Sequence, residues 1–397
     1  SGLTTTAECR QARKTGVRVQ HVRVQHTGPA HLTSQPTVAP VFKMPSTRAL
    51  VVGSGIAGLT TARALQRRGL DVVVAAREWS ARTTSAGAGG LWMPFHAEPA
   101  DAVARWASVT LSCLLEEQRS SAALGAFIES LPATELFRAE APPPPPPWAS
   151  DPRLVFEACS GDPAAALARR GATLVRIPSE YRSSWLWNSL VVDSPRYLDA
   201  LQASLFDSGA TARIEALEGG PAAVAELAQR LGCEIAVNCA GLGGGALGGE
   251  DASAVTNGRG VVLQYERASV AGLAVVMSQE APLSGGDATP AYVIPRGDVV
   301  VCGGSYDEGV TADASREEVG RIEASAAAIA PGSLGALRQV WVGHRPVRGA
   351  GVRVEVEPRA TSGGVLLAHN YGHGGSGWTI AHGCAEDIAD GVAAALS

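Results

Sequence analysis

Three glycines at the spacing G-x-G-x-x-G, Gly53, Gly55 and Gly58, stand directly after the apolar run Ala49 to Val52. These residue types at this spacing make a seat for a pyrophosphate. The first glycine permits a tight turn, the second lets the backbone approach the phosphates, and the third lets a helix pack close to its strand. The helix amino end then offers unpaired N–H groups and partial positive charge to the anion. Without a ligand the same spacing is only a tight strand-to-helix connection. An acid that binds a ribose is expected about 20 residues on. There the chain reads Ala75, Ala76 and Arg77, with Glu78 following. Arg77 suits a ribose 2′-phosphate or a place beside adenine, so the fingerprint alone leaves the dinucleotide open. A second glycine-rich turn, HNYGHGGSGWT at residues 369–379, opens the last helical stretch. It aims another helix amino end at an anion or dipole. Two such devices in one chain point to one large ligand held at both ends.

The elements that must position these turns read as follows. Arg48 to Glu78 is strand, glycine turn, amphipathic helix and second strand. Thr83 to Pro94, TTSAGAGGLWMP, is expected as a loop close to the ligand, with Thr83, Thr84 and Ser85 as phosphate donors. Leu91, Trp92 and Phe95 argue against its full exposure. Asp101 to Glu117 carries apolar residues at helical spacing. Six consecutive prolines, Pro142 to Pro147, form an extended surface excursion. Residues 161–171 are expected as a short helix and Trp185 to Val192 as a strand. Pro195 opens a helix ending near Ser208. Glu234 to Asn238 has the composition of a buried parallel strand running into a glycine turn. From Gly258 onward GRGVVLQYE, LAVVMSQ, AYVIPRG, VVVCGGSY and GVRVEVE read as strands of a largely antiparallel sheet, with one helix near 315–329.

At 397 residues and 46% hydrophobic content, the chain can bury a sizeable core and is expected to form two domains. A net charge of −5 speaks against a general nucleic-acid binder. No stretch offers the ~20 apolar residues of a membrane span. The seven cysteines are scattered and form no C-x-x-C or Cys/His cluster, so neither a metal site nor a disulfide framework is expected. Residues 1–45 are basic and acid-poor, with VRVQH at 17–21 repeated at 22–26. They read as a disordered leader, either a transit-like segment or an extension upstream of Met44. The compartment is therefore cytoplasmic or organellar. The alternating valines at 17, 19, 22 and 24 would suit a strand.

Taken together, GSGIAGL, AARE, TTSAGAGGLWMPF, VNCAGLGGGAL, GRG, AYVIPRGDVVVCGGSY, GHRPVR and HNYGHGGSGWTIAHGCAED resemble the D-amino-acid oxidase family of FAD flavoproteins. The resemblance runs from Arg48 to about Ala395. It implies an α/β fold, with a Rossmann-type FAD-binding domain at 46–140, 189–255 and 362–397. A largely antiparallel substrate domain would take 148–188 and 256–361, with a polyproline loop at 141–147. The FAD pyrophosphate would lie on Gly53, Ser54, Gly55, Ile56, Ala57 and Gly58. Ala76, Arg77 and the backbone of Ile214 would meet the adenosine. Thr83, Thr84 and Ser85 would stand near the phosphates and flavin edge, and Gly89, Gly90, Leu91 and Trp92 along the flavin ring. Gly374, Gly375, Ser376, Gly377, Trp378 and Thr379 would hold the pyrimidine end.

For the substrate, Arg345 matches the arginine that grips the α-carboxylate, a task suited to a planar guanidinium. Tyr292 and Tyr306 resemble a tyrosine pair that binds the carboxylate and lines the pocket, and the Gly375 carbonyl would accept from the amine. Arg348 is expected to brace its loop, and neither His344 nor His373 is assigned a role. The implied reaction is oxidative deamination of a D-amino acid to an imino acid, which hydrolyses to a 2-oxo acid and ammonia. The α-hydrogen leaves as hydride to flavin N5, and oxygen is reduced to hydrogen peroxide. Neutral side chains are favoured, since no second cation stands ready for an acidic one. Relatives that use D-aspartate, glycine or secondary amines, an NADP-dependent dehydrogenase and a non-catalytic flavin scaffold are the alternatives, and a homodimer is left open. Ser376 and Trp378 depart from the family pattern beside the expected site. The carboxy terminus AALS is not the peroxisomal S-K-L signal.

Overall fold

Arg48–Val52 (β1) is the parallel centre of the first sheet, because its apolar residues are buried from both faces. The computed structural model describes residues 47–79, 82–95, 97–251, 253–268, 271–281, 289–329, 334–358 and 363–397. The expectations for residues 1–45 lie outside them. From β1 the chain passes through Ile56–Arg67 (α1) and Asp71–Ala76 (β2), then Thr84–Gly87 (α2) and Ala100–Ser120 (α3). Ile128–Phe137 (β3), Glu157–Ser160 (β4), Pro163–Arg169 (α4) and Ser183–Val192 (β5) follow. Next come Ser194–Asp207 (α5), Thr211–Ile214 (β6), Gly220–Arg230 (α6), Ile235–Asn238 (β7) and Gly244–Leu247 (α7). The strands Val255–Arg267 (β8), Val275–Ala281 (β9), Thr289–Arg296 (β10), Val299–Gly303 (β11) and Asp307–Glu308 (β12) precede Arg316–Ile329 (α8). Leu334–Arg348 (β13), Arg353–Val356 (β14), Leu366–Tyr371 (β15) and Gly377–Leu396 (α9) complete the chain.

The described strands form two sheets. A six-stranded sheet has the order β14-β15-β7-β1-β2-β6, parallel except for β14. A nine-stranded sheet runs β12-β8-β11-β10-β9-β3-β5-β4, with β13 also paired to β8. It is antiparallel except where β3 meets β9. This is the α/β architecture of a Rossmann-type unit joined to an antiparallel one.

Three strands fall on the other side of the expected division. β3, inside the 46–140 segment, pairs along its whole length with β5 in the larger sheet. β5 therefore cannot be cut at residue 189. β14, expected among the strands of the second domain, is the antiparallel edge of the first sheet. Buried apolar composition reads alike for either sheet; only the partner decides. The loop expected from Thr83 also begins with one helical turn, α2.

Helices α1 and α9 cover one face of the first sheet, and α3 packs against α9. Leu59 and Leu65 of α1, Leu111 and Leu114 of α3, and Ile380 and Ile388 of α9 are fully buried there, each stabilising by about 1.5–3 kcal/mol. A polar knot ties these helices to α5. Arg63 pairs with Glu117 and meets His382 Nδ1 at 3.0 Å. The Tyr197 hydroxyl donates to Glu117 Oε2 at 2.6 Å. Burial, with Arg63 beside it, keeps His382 neutral by lowering its pKa well below the usual histidine range. Among the described residues no helix is long and apolar enough to cross a membrane, and no group of ligands could hold a metal ion.

Candidate active site

The first glycine turn closes so tightly that only glycine fits. Gly53 has φ +119°, and a Cβ there would overlap the Cys239 carbonyl oxygen; one on Gly58 would overlap Gly53 itself. Glycine permits this tight turn and the close packing of α1 on β1, the backbone geometry of a dinucleotide fingerprint. The α1 amino end has no side-chain cap and no acid in its first turn. The Ile56 N–H donates to Ser85 Oγ at 3.0 Å, and Ser54 Oγ donates to the Glu78 carbonyl. The N–H groups of Gly55, Ala57 and Gly58 find no backbone acceptor among the described residues, leaving them free for an anion. Ala76 ends β2 in register with Ile214 on β6. Ile214 is 83% exposed and Arg77 is exposed beside this edge, so both border the open end of the seat.

The second glycine turn joins β15 to α9. Gly374 donates from its N–H to the Pro346 carbonyl, fastening the turn to β13. The Ser376 hydroxyl donates to the Phe95 carbonyl at 2.6 Å and accepts from the Phe95 N–H at 2.8 Å. Thr379 Oγ1 does the same with Met93, at 2.8 and 3.1 Å. These two hydroxyls are thus engaged in strapping residues 93–95 to the helix. The backbone N–H groups of Gly375, Gly377 and Trp378 have no backbone acceptor among the described residues, so the helix dipole is presented by the main chain. Trp378 donates from Nε1 to the Ser85 carbonyl of α2 at 3.0 Å.

Between the sheets lies a cavity lined by both turns' neighbours, including Thr84, Gly89, Gly90, Leu91, Gly375 and Trp378, and by Tyr292, Tyr306 and Arg345. Arg345 projects from β13 across Gly260, where any Cβ would collide with its guanidinium. Its contacts to the Gly258 and Ser305 carbonyls are long, 3.5 Å each. Among the described residues no carboxylate stands within ion-pair distance of it. The Tyr306 ring lies 5.8 Å from its guanidinium carbon. Tyr292 lies beside Arg345; burial raises its pKa and Arg345 lowers it, with the phenol left protonated on balance. The Tyr306 hydroxyl donates to Glu308 Oε1 at 3.0 Å. Among the described residues no histidine or acid lines the cavity.

Other expected residues are placed differently. Trp92 is 1% exposed, its indole donating to the Ala107 carbonyl of α3 at 3.0 Å, so its side chain turns away from the cavity. Arg348 braces its loop as expected, holding Glu250 and the Gly351 carbonyl. His373 is buried with an unpaired Nε2, and burial pushes its pKa down to about 4. His344 meets Asn257 Oδ1 at 3.1 Å. Neither histidine lines the cavity.

Arg296 carries a role that sequence reading passed over. It is 3% exposed, and its guanidinium donates to the Ala86 and Ala88 carbonyls and to Ser194 Oγ. Burial pushes its pKa down to about 10, against the pull of Asp193 and Asp298. It holds the glycine-rich wall of the cavity from behind. A charged residue ending an otherwise apolar strand was the only signal.

Residues 48–391 match the family model described as DAO, FAD dependent oxidoreductase. The chain is 33% identical over 357 residues to a D-amino-acid oxidase of Rubrobacter xylanophilus, covering 88% of this chain and 97% of that protein. A D-amino-acid oxidase of Streptomyces coelicolor is 31% identical, over 86% of this chain and 95% of its own. Among solved structures, glycine oxidase from Bacillus cereus superposes with a TM-score of 0.65 at 16% identity, over 87% of this chain and 94% of its own. That last likeness concerns the fold.

Proposed function

Because the chain belongs to the DAO family of FAD-dependent oxidoreductases, we propose that it deaminates D-amino acids oxidatively in the cavity that holds Arg345. The observation that carries this reading is a guanidinium with no carboxylate partner among the described residues, beside a half-buried tyrosine, in a cavity that the second glycine turn helps to line. When bound, FAD supplies the acceptor for the substrate's α-hydrogen as hydride and delivers the two electrons to oxygen, giving hydrogen peroxide.

The chain's own groups do the positioning. Gly53 to Gly58 and the α1 amino end would take the pyrophosphate, and the α9 amino end the electron-rich end of the ring. Arg345 would pair bidentately with the substrate α-carboxylate, with Tyr292 donating alongside. Tyr306 stacks against that guanidinium and closes the outer side, while the Gly375 carbonyl would accept from the amine. The described residues of the lining provide no base, which suits hydride loss from the neutral amine. Leu91, Met93, Phe95, Met277 and Ile294 make the walls apolar. Arg345 is the only cation among the described residues of the lining, and it is engaged by the α-carboxylate, which disfavours an acidic side chain. The handedness of the substrate rests on the two relatives.

Peroxide release from a panel of D-amino acids against their L-enantiomers tests the reading. Turnover of D-alanine and not L-alanine is expected; release with neither would overturn it.

A further inference from the structure

A second cavity adjoins the first, with Met93, Phe95 and Gln279 lining both. Its other walls include Glu135, Trp148 and Trp185. Sheet register explains why Glu135 faces it. β3 and β9 run parallel with Glu135 opposite Met277. Met277 and Gln279 lie two residues apart and so share a face, which is the face that Glu135 shares. Leu136, the next residue on β3, packs into the opposite core with Val276.

Glu135 is 7% exposed, and Gln279 lies beside its carboxyl. Among the described residues it has no cation within ion-pair distance. Burial raises its carboxyl to about 7, and the neighbouring Glu280 adds to the rise. A buried carboxylate is costly unless it is paired. Phe95, Trp148 and Trp185 line the same space, and aromatic rings attract cations. The proline run completes the wall. The Pro143 carbonyl accepts from Trp185 Nε1 at 3.0 Å, and Pro146 lines the cavity.

We propose that this second cavity is a side-chain subsite for long cationic D-amino acids, in which Glu135 pairs with the distal charge of a lysine- or arginine-like side chain between Trp148 and Trp185. The proposal rests on the oxidase reading and names a substrate class for the same site. Arg345 fixes the carboxylate in the first cavity, and an extended side chain passes Phe95 and Gln279 to reach the second. The absence of a second cation argues only against acidic side chains, which Glu135 also repels. Short neutral side chains end before the subsite.

The test compares kcat/KM of the wild-type holoenzyme for D-lysine, D-arginine and D-norleucine at about pH 8, where the lysine amine is charged. A preference of about ten-fold or more for a cationic substrate over D-norleucine is expected. Glu135→Gln should cut that ratio about ten-fold, chiefly through KM for the cationic substrates. Wild-type turnover of D-norleucine equal to or above that of both cationic substrates would overturn the subsite and leave the oxidase reading standing. An unchanged ratio in Glu135→Gln would also overturn it. Failure of any D-amino acid, D-alanine included, to give peroxide would overturn the oxidase reading and the subsite with it.

Discussion

Arg345 differs from Arg259, Arg348 and Arg63 in what surrounds it. Arg259 is held by Glu318 and Asp307, Arg348 by Glu250, and Arg63 by Glu117. Arg345 has only distant carbonyls, two tyrosines and the cavity. A charge left in this state is available to a ligand. Arg345→Ala is expected to lower kcat/KM for D-alanine by about 100-fold or more, since a charge-assisted bidentate pair is lost. Arg345→Lys should recover only a part, because an ammonium lacks the planar fork. Steady-state peroxide assays of both variants check this. Glu135 makes a stability prediction of its own. Its carboxyl titrates at about 7 when folded, against the usual 4.5. The folded state therefore holds the proton more tightly, and stability falls as pH rises from 4.5 to about 7. Glu135→Gln should be more stable than the parent at pH 8, on the order of 3 kcal/mol, with the difference vanishing near pH 4.5. Denaturant midpoints of both proteins at the two pH values measure it.

At the scale of elements, the turns were legible because their chemistry is local. Gly53, Gly55 and Gly58 announce a pyrophosphate seat by spacing, and the structure closes that turn against Cys239. Gly58→Ala would drive a methyl into the Gly53 carbonyl. It is expected to abolish FAD retention on purification, seen as loss of flavin absorbance. Partnerships across the fold were not legible. β3, β5 and β14 carry the same apolar runs whichever sheet they join, and only the ladder decides. The hydroxyls of Ser376 and Thr379 read as ligand contacts, but their partners, Phe95 and Met93, lie nearly three hundred residues earlier in the chain. The same holds for Arg296 and Glu135, which act across strands. Glu117 of α3 binds Arg63 of α1 and Tyr197 of α5, and both of these meet His382 of α9. Glu117→Ala would leave Arg63 buried and unpaired, at a cost of about 3–5 kcal/mol in denaturant unfolding.

Across the whole molecule, the two sheets divide one task. The Rossmann-type sheet supplies both glycine turns, from the ends of β1 and β15, and the antiparallel sheet supplies Tyr292 and Arg345 from β10 and β13. A cofactor that bridges the turns binds only the folded state, so removing FAD should lower Tm and restoring it at about 100 times its Kd should recover about 2.7 kcal/mol. The measurement closest to the central claim is anaerobic mixing of the FAD-loaded protein with D-alanine or L-alanine, followed by flavin absorbance, in wild type and in Arg345→Ala. Rapid bleaching of wild type by D-alanine alone, strongly slowed in the variant at the same concentration, is the expected result. Bleaching that Arg345→Ala leaves unchanged, or no bleaching of wild type by D-alanine, would contradict the account.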